Sequence, residues 1–313
     1  MKYSKKQIEQ YSVETGFIKH YIEKVIRLLD VLIFIFSKST FKDKLLLKGG
    51  TAINLVHTNL KRLSVDIDLD YFGSLDKDIA LKDRNLLEKE LDNYMSDNDY
   101  EISANSRSSF ALFSRIYKYR NAFGNIDTIK VDVNFLDRVH LFPYNISTVN
   151  CFDKEVKLIT PAIEELFGMK INALIDRSKP RDLYDTVFLV DNINLFNQDM
   201  LRKAIIFYLS LNNIFKIDSS SFNNIETIDY KHVKTELLPV LKKDETFDLI
   251  KSKNDIIKIL NKLLILNEKE SLYLNEFSKG NYNPSLLFDD DLASKIKEHP
   301  MAKWRTLNII SNK

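Results

Sequence analysis

The sequence predicts an α+β fold: a small mixed sheet with an N-terminal helical segment over residues 1–155, then a mainly helical domain over 156–313. Three observations predict it. Short apolar or alternating runs, the spacing of strands, fall between residues 45 and 135. Beyond residue 162 apolar side chains recur every three or four positions, the spacing of helices. Glycine and proline are scarce, seven and six in 313 residues, which suits helices joined by short turns. With 44% apolar and 29% charged residues, the chain is long enough to bury two cores.

Taken in order, a helical segment runs to about Ser37. Its apolar run Val31–Phe36 is too short to span a bilayer and continues a pattern that carries Glu23, Lys24, Arg27 and Asp30. Leu45–Leu47 reads as a strand, Gly49-Gly50 as a turn and Thr51 as the start of a helix, whose first amides and positive dipole end suit a triphosphate. Residues 63–72 alternate, so Val65, Ile67 and Leu69 face one way and Ser64, Asp66, Asp68 and Asp70 the other. Residues 110–119 and 126–135 form a hairpin around Phe123-Gly124-Asn125. In its second strand Ile129, Val131, Val133 and Phe135 make the apolar face, and Asp132 lies opposite, flanked by Lys130 and Asn134. Asp127 and Asp137 read as turn residues.

In the second half, residues 162–176 form an amphipathic helix with Lys170 and Arg177 about two turns apart. Ser178-Lys179-Pro180 breaks it, and Pro180 suits the first turn of the next helix, on which Asp182 and Asp185 share a face. Residues 215–231 are polar and turn-rich, the best internal loop or hinge. Residues 233–241, 246–253 and 254–266 carry helical spacing, and Asp289-Asp290-Asp291 caps a later helix.

A glycine turn at a helix start next to closely spaced strand carboxylates is the anatomy of metal-dependent nucleotidyl transfer. Asp66 and Asp68 repel each other in a confined site unless cations sit between them, and magnesium, held by one or two carboxylates plus phosphates, is the natural candidate. Two ions would serve an in-line displacement, and Asp132 supplies a third ligand. Lys48, Gly49, Gly50, Thr51 and Ser64 would bind the nucleotide. Lys170 suits a point charge on its phosphates, while Arg177 and Arg181 suit bidentate recognition. Asp182 and Asp185 could bind a second metal, position Lys170 or act as general base. Plainer readings stand beside these: a solvated edge strand, an exposed Asp132, and a salt-bridge cluster at 181–185 that only fastens two helices. The net charge of +2 does not identify a nucleic-acid partner; local basic residues matter more, namely Lys61, Arg62, Arg115, Lys118, Arg120 and Lys179 beside those already named. One cysteine and five histidines without metal-ligand spacing argue against a disulfide, a thiolate cluster and a zinc site. No signal-like hydrophobic region opens the chain, so a cytoplasmic location without a membrane is expected.

Gly49-Gly50-Thr51, Asp66-x-Asp68 and Asp132 together resemble the polymerase-beta-like nucleotidyltransferase pattern. More narrowly, Leu47-Lys-Gly-Gly-Thr-Ala52, Lys61-Arg-Leu-Ser-Val-Asp-Ile-Asp-Leu69, the Lys170 helix and Arg181-Asp-Leu-Tyr-Asp185 resemble the AbiEii toxin family of type IV toxin–antitoxin and abortive-infection systems. Glu276-Phe277, Tyr282, Leu286-Leu-Phe288 and His299-Pro-Met-Ala-Lys-Trp304 extend the likeness to nearly the whole chain. The chain departs from the superfamily at Gly50, where many relatives place serine; Thr51 or bare amides are left to meet phosphate. The resemblance implies a toxin that moves a nucleoside monophosphate from an NTP to RNA, with the tRNA 3′ end as acceptor, so stopping translation, and an antitoxin encoded nearby. The alternatives are transfer to a small molecule or protein, and a catalytically idle domain that binds a partner.

Overall fold

The computed structural model describes residues 3–311. The chain divides into two compact units: residues 1–138, 144–160 and 238–245 form the first, and residues 139–143, 161–237 and 246–313 the second.

The first unit opens with helices Lys5–Thr15 and Lys19–Ile33, the latter passing into a wider π-helical turn at Phe34–Lys38. Eight strands follow: β1 (Leu45–Lys48), β2 (Asp66–Tyr71), β3 (Glu101–Ile102), β4 (Arg107–Ser108), β5 (Leu112–Arg120), β6 (Ile126–Asn134), β7 (Asn145–Cys151) and β8 (Lys154–Thr160). The main sheet runs in the order β1-β2-β6-β5-β3, with β4 also on β5. It is mixed: β2 lies parallel to β6, while β1–β2 and β5–β6 are antiparallel. Parallel neighbours need a long crossover, and here helix Lys77–Asp97 and strands β3, β4 and β5 lie between them in sequence.

Alternation divides the sheet as the sequence suggests. Ile67, Leu69, Ile129, Val131, Val133, Phe113 and Tyr117 are all buried, and each such side chain contributes about 1.5–3 kcal/mol when taken fully from water. Helix Lys77–Asp97 covers this face: Asp92 accepts from Tyr117 Oη at 2.6 Å, and Glu88 and Asp92 pair with Arg115. Arg115 is thereby on the face opposite Asp132, bound to acids, and leaves the list of basic residues at the candidate site.

The expected boundary at 155/156 lies within β8, where Phe152 and Asp153, both at positive φ, have just turned the chain back along β7. Two other expectations change. Residues 215–231 are not an open loop: they hold short helical turns at Ser219–Phe222 and Asn223–Glu226 that bury Phe222, Ile225 and Ile228. The two expected helices at 246–266 are one, Leu249–Leu263, since Lys253-Asn254 carries no breaker and Asp248 caps the single start.

The second unit is helical, led by Ile163–Arg177, Pro180–Asp191 and Gln198–Leu211. Pro180 sits in the first turn of its helix, where a missing N–H costs nothing. Asp289 caps Asp290–Ile296, accepting from the Leu292 amide at 2.9 Å. Among the described residues no helix is long and apolar enough to cross a membrane.

Candidate active site

The glycine turn grows out of β1. Lys48 is extended, Gly49 takes φ +70°, and the helix begins at once, running Gly49–Ala52 and widening into a π-helical turn at Ile53–His57. Asn54 fastens it: its amide donates to the Gly50 carbonyl at 2.8 Å, and its side-chain oxygen accepts from Thr58 and the Arg62 amide. Glycine is required twice, for different reasons. At position 49 the backbone is left-handed and a Cβ would stand 2.6 Å from Asp68 Oδ2, so this carboxylate presses directly on the turn. At position 50 φ is ordinary, but the space is taken by the buried Arg62 guanidinium, with Ser64 Oγ 3.2 Å from where a Cβ would be.

Thr51 is buried, and its hydroxyl donates to the Asp66 carbonyl and meets Ser64 Oγ at 2.9 Å. It ties the helix start to β2, so a phosphate would meet the turn through its amides and not through this hydroxyl. Ser64 itself precedes β2, which starts at Asp66.

Register then sets the chemistry. Lys48 pairs with Asp68, Asp68 with Asp132, and Asp132 with Ser114, so one row crosses β1, β2, β6 and β5. Two residues along, the next row on the same face pairs Asp66 with Lys130. Asp68 is the corner of this arrangement, across one strand spacing from Asp132 and two residues from Asp66 on its own strand. Burial, then the negative charges of Asp66 and Asp132, push the Asp68 carboxyl above the ordinary carboxylate range against the pull of Lys48 and Lys130. Asp132 accepts from Ser114 Oγ at 2.6 Å and from Lys130 Nζ at 2.5 Å. Lys48 is turned inward, 2.6 Å from the fully buried Asp70 and 3.7 Å from Asp137. Despite burial, these acids hold its ammonium pKa up. A cavity of about 320 Å³ is lined by Lys48, Asp68, Leu69, Asp132, Asn134 and Leu136 among others.

Among the described residues no three acidic, histidine or cysteine side chains close into a metal cage of their own. The donor set nonetheless fits magnesium, which takes one or two carboxylates and completes its shell with water and phosphate. Asp66, Asp68 and Asp132 concentrate negative charge enough to raise one of their own number, and a lysine already provides part of the counter-charge.

In the second unit Lys170 is buried, its ammonium 2.9 Å from both Asp182 and Asp185. Arg177 approaches the same Asp182 through two nitrogens, at 2.6 and 2.9 Å, while its side chain stays half exposed. Burial alone would raise Asp182; Lys170 and Arg177 overcome it and hold its carboxyl at about 2. Lys179 pairs with Glu236 at 3.0 Å and Arg181 donates to the Glu236 carbonyl at 2.6 Å. What the sequence pattern did not single out are Arg62 behind Gly50, Ser114 and the placement of Lys130; each depends on strand register or on a long-range contact.

One prediction arises here. Gly49→Ala is expected to cost about 1–2 kcal/mol in stability from the left-handed backbone. By shifting Asp68 it should also lower nucleotidyl transfer by roughly a hundredfold. Urea unfolding and initial transfer rates check both, and an alanine variant as fast as the parent would separate the turn from the reacting site.

The structure thus brings together a helix-start glycine turn, an Asp-x-Asp strand and a parallel neighbour carrying a third aspartate, the arrangement expected of a nucleotidyltransferase. The family comparison makes this specific: the model for "Nucleotidyl transferase AbiEii toxin, Type IV TA system" matches residues 31–254, and the chain belongs to that family of toxins. In structure it is similar to MenT4, a nucleotidyltransferase toxin from Mycobacterium tuberculosis H37Rv, with a TM-score of 0.65 over 98% of this chain and 99% of that one at 12% identity, a likeness of fold. No curated protein matches the chain in sequence.

Proposed function

We propose that this toxin transfers a nucleoside monophosphate from an NTP to an RNA acceptor, the 3′ end of tRNA, and blocks translation in doing so. The observation that carries the transfer chemistry is the row Lys48–Asp68–Asp132–Ser114 beside the Gly49-Gly50 turn. Asp66, Asp68 and Asp132 would hold magnesium, which when bound supplies Lewis-acid neutralisation of the phosphates. The amides of the turn receive the phosphate oxygens, and Asp68, pressed against Gly49, fixes how close they come. Lys48, locked on Asp70, holds the β1 end of the row in place. In the second unit, Lys170, held by Asp182 and Asp185, and Arg177, forked on Asp182, are the candidates for meeting phosphate. Membership of a type IV toxin–antitoxin family supports the reading of an RNA acceptor, a cytoplasmic location and a cognate antitoxin encoded nearby.

The acceptor is tested with labelled NTPs, magnesium and total RNA or protein. RNA should take the label, periodate oxidation of its terminal diol should abolish labelling, and RNA affinity should fall steeply with salt as counterions are released. Label on periodate-treated RNA, or only on protein or small molecules, would overturn the acceptor while leaving the transfer chemistry in place. Lys179 and Arg181 are engaged with Glu236 and Arg177 with Asp182, so the RNA affinity of each neutralised variant is to be read beside its stability.

A further inference from the structure

We propose that Lys130 is a built-in counter-ion, its ammonium holding the place of the divalent cation in the free protein and moving out when the cation enters. The inference rests on the reading that Asp66, Asp68 and Asp132 bind metal, and it adds a device that sets when they do so.

The geometry carries it. Lys130 stands directly across from Asp66 in the β2–β6 register and reaches along its own strand to Asp132 Oδ2, at 2.5 Å. The other oxygen of Asp132 accepts from Ser114. In this arrangement each Asp132 oxygen already has a donor, and the one held by Lys130 is the one that a metal could claim by displacing a mobile group. Lys130 is able to leave. Its side chain is 42% exposed, whereas that of Lys48, the other lysine of the site, is 21% exposed and tied to Asp70, an aspartate wholly out of water. Of two ammonium groups in one small site, one is therefore fixed and one has a route to solvent.

The arrangement has a physical purpose. Three carboxylates in neighbouring positions without any cation would repel one another, and a lysine on a flexible stem relieves this without closing the site permanently. Its cost is metal affinity, since an incoming ion must first displace the ammonium. Bare metal should bind weakly, and metal arriving with a triphosphate, whose oxygens complete the shell, should bind better. Once displaced, the ammonium is free to accompany the negative charge of the phosphates.

The test is manganese binding to the intact protein, followed by electron paramagnetic resonance without nucleotide, for the parent, Lys130→Met and Asp68→Asn. Lys130→Met should bind manganese about five- to tenfold more tightly than the parent, and Asp68→Asn should lose binding. If Asp68→Asn loses binding but Lys130→Met binds no better than the parent, the counter-ion role is wrong and the metal site stands. If the parent and Asp68→Asn do not differ, the metal reading fails and this inference with it. A second measurement needs no variant. Saturating magnesium should raise the reactivity of Lys130 toward an amine-acylating reagent several-fold, read by peptide mass spectrometry, relative to sodium chloride of equal ionic strength. Unchanged or reduced labelling of Lys130 under magnesium would overturn the proposal even if Lys130→Met failed to fold.

Discussion

Asp68→Asn is expected to abolish nucleotidyl transfer, by about a thousandfold or more, while the protein folds as well as the parent or better. Asparagine keeps the shape that presses on Gly49 and removes only the charge. In metal-free buffer that charge is unfavourable: burial and the neighbouring Asp66 and Asp132 raise the Asp68 carboxyl, so the folded state binds its proton more tightly than the unfolded chain does. For a raised carboxyl, stability falls as pH climbs from the ordinary carboxylate range to the raised value, and stays lower above it. The asparagine variant should lack this decline, and its advantage in thermal melting should appear at neutral pH and vanish in acid. Expression of the variant should be tolerated by cells that the parent inhibits. A folded variant that keeps more than a few per cent of the activity in magnesium would remove Asp68 from the metal site.

Lys170→Met is expected to have the largest effect on stability, about 3–5 kcal/mol, because it leaves Asp182 and Asp185 buried without their shared cation. Arginine should rescue poorly: a compact ammonium fits 2.9 Å from two carboxylates at once, and a planar fork does not. Adding Asp182→Asn and Asp185→Asn to Lys170→Met should recover most of the lost stability by removing the buried charges that the ammonium had offset. Transfer by that triple variant separates two roles of the lysine. If the fold returns and transfer does not, Lys170 or its acids serve the reaction; if both return, the cluster only fastens helices. Acid titration gives an independent check. Asp182 is held at about 2, below its unfolded value, so its contribution is complete above about pH 4 and is lost as pH falls toward 2. Lys170→Met should reduce that acid-dependent loss along with the stability at neutral pH.

Legibility in the sequence followed the range of the interaction. The alternation of 63–72 and 126–135 was enough to place Asp66, Asp68 and Asp132 on polar faces, because burial of Ile67, Leu69, Val131 and Val133 fixes the other side. The Pro180 start and the Asp289 cap are local rules obeyed locally. The β7–β8 hairpin was not legible: its turn residues Phe152 and Asp153 take positive φ without glycine or asparagine, and β7 buries only Cys151. β3 and β4, at two residues each, have no period to read. Nor could spacing show that Lys130 stands opposite Asp66 or that Arg62 fills the space beside Gly50, since the first needs a parallel register between distant strands and the second a side chain folded back across a loop. Thr51 shows the converse error: a hydroxyl in the right place in the motif is spent on Ser64 and the Asp66 carbonyl.

The late segment 238–245 belongs to the first unit, where the Val240 carbonyl accepts from the Leu63 amide at 2.8 Å, Leu241 bridges Arg62, and the Lys243 amide donates to the Gly16 carbonyl at 3.0 Å. During synthesis the ribosome therefore releases Asp66, Asp68 and Asp132, and the strands that carry them, long before the segment that fastens the loop just ahead of β2. A nascent or prematurely terminated chain ending near residue 160 would hold Asp66, Asp68 and Asp132 but lack this clasp, and a cell making the toxin would meet a finished nucleotidyltransferase unit only when translation had passed residue 245. For the same reason the unit cannot be cut out at its apparent end: a minimal version has to graft 238–245 back onto 1–160 through a linker.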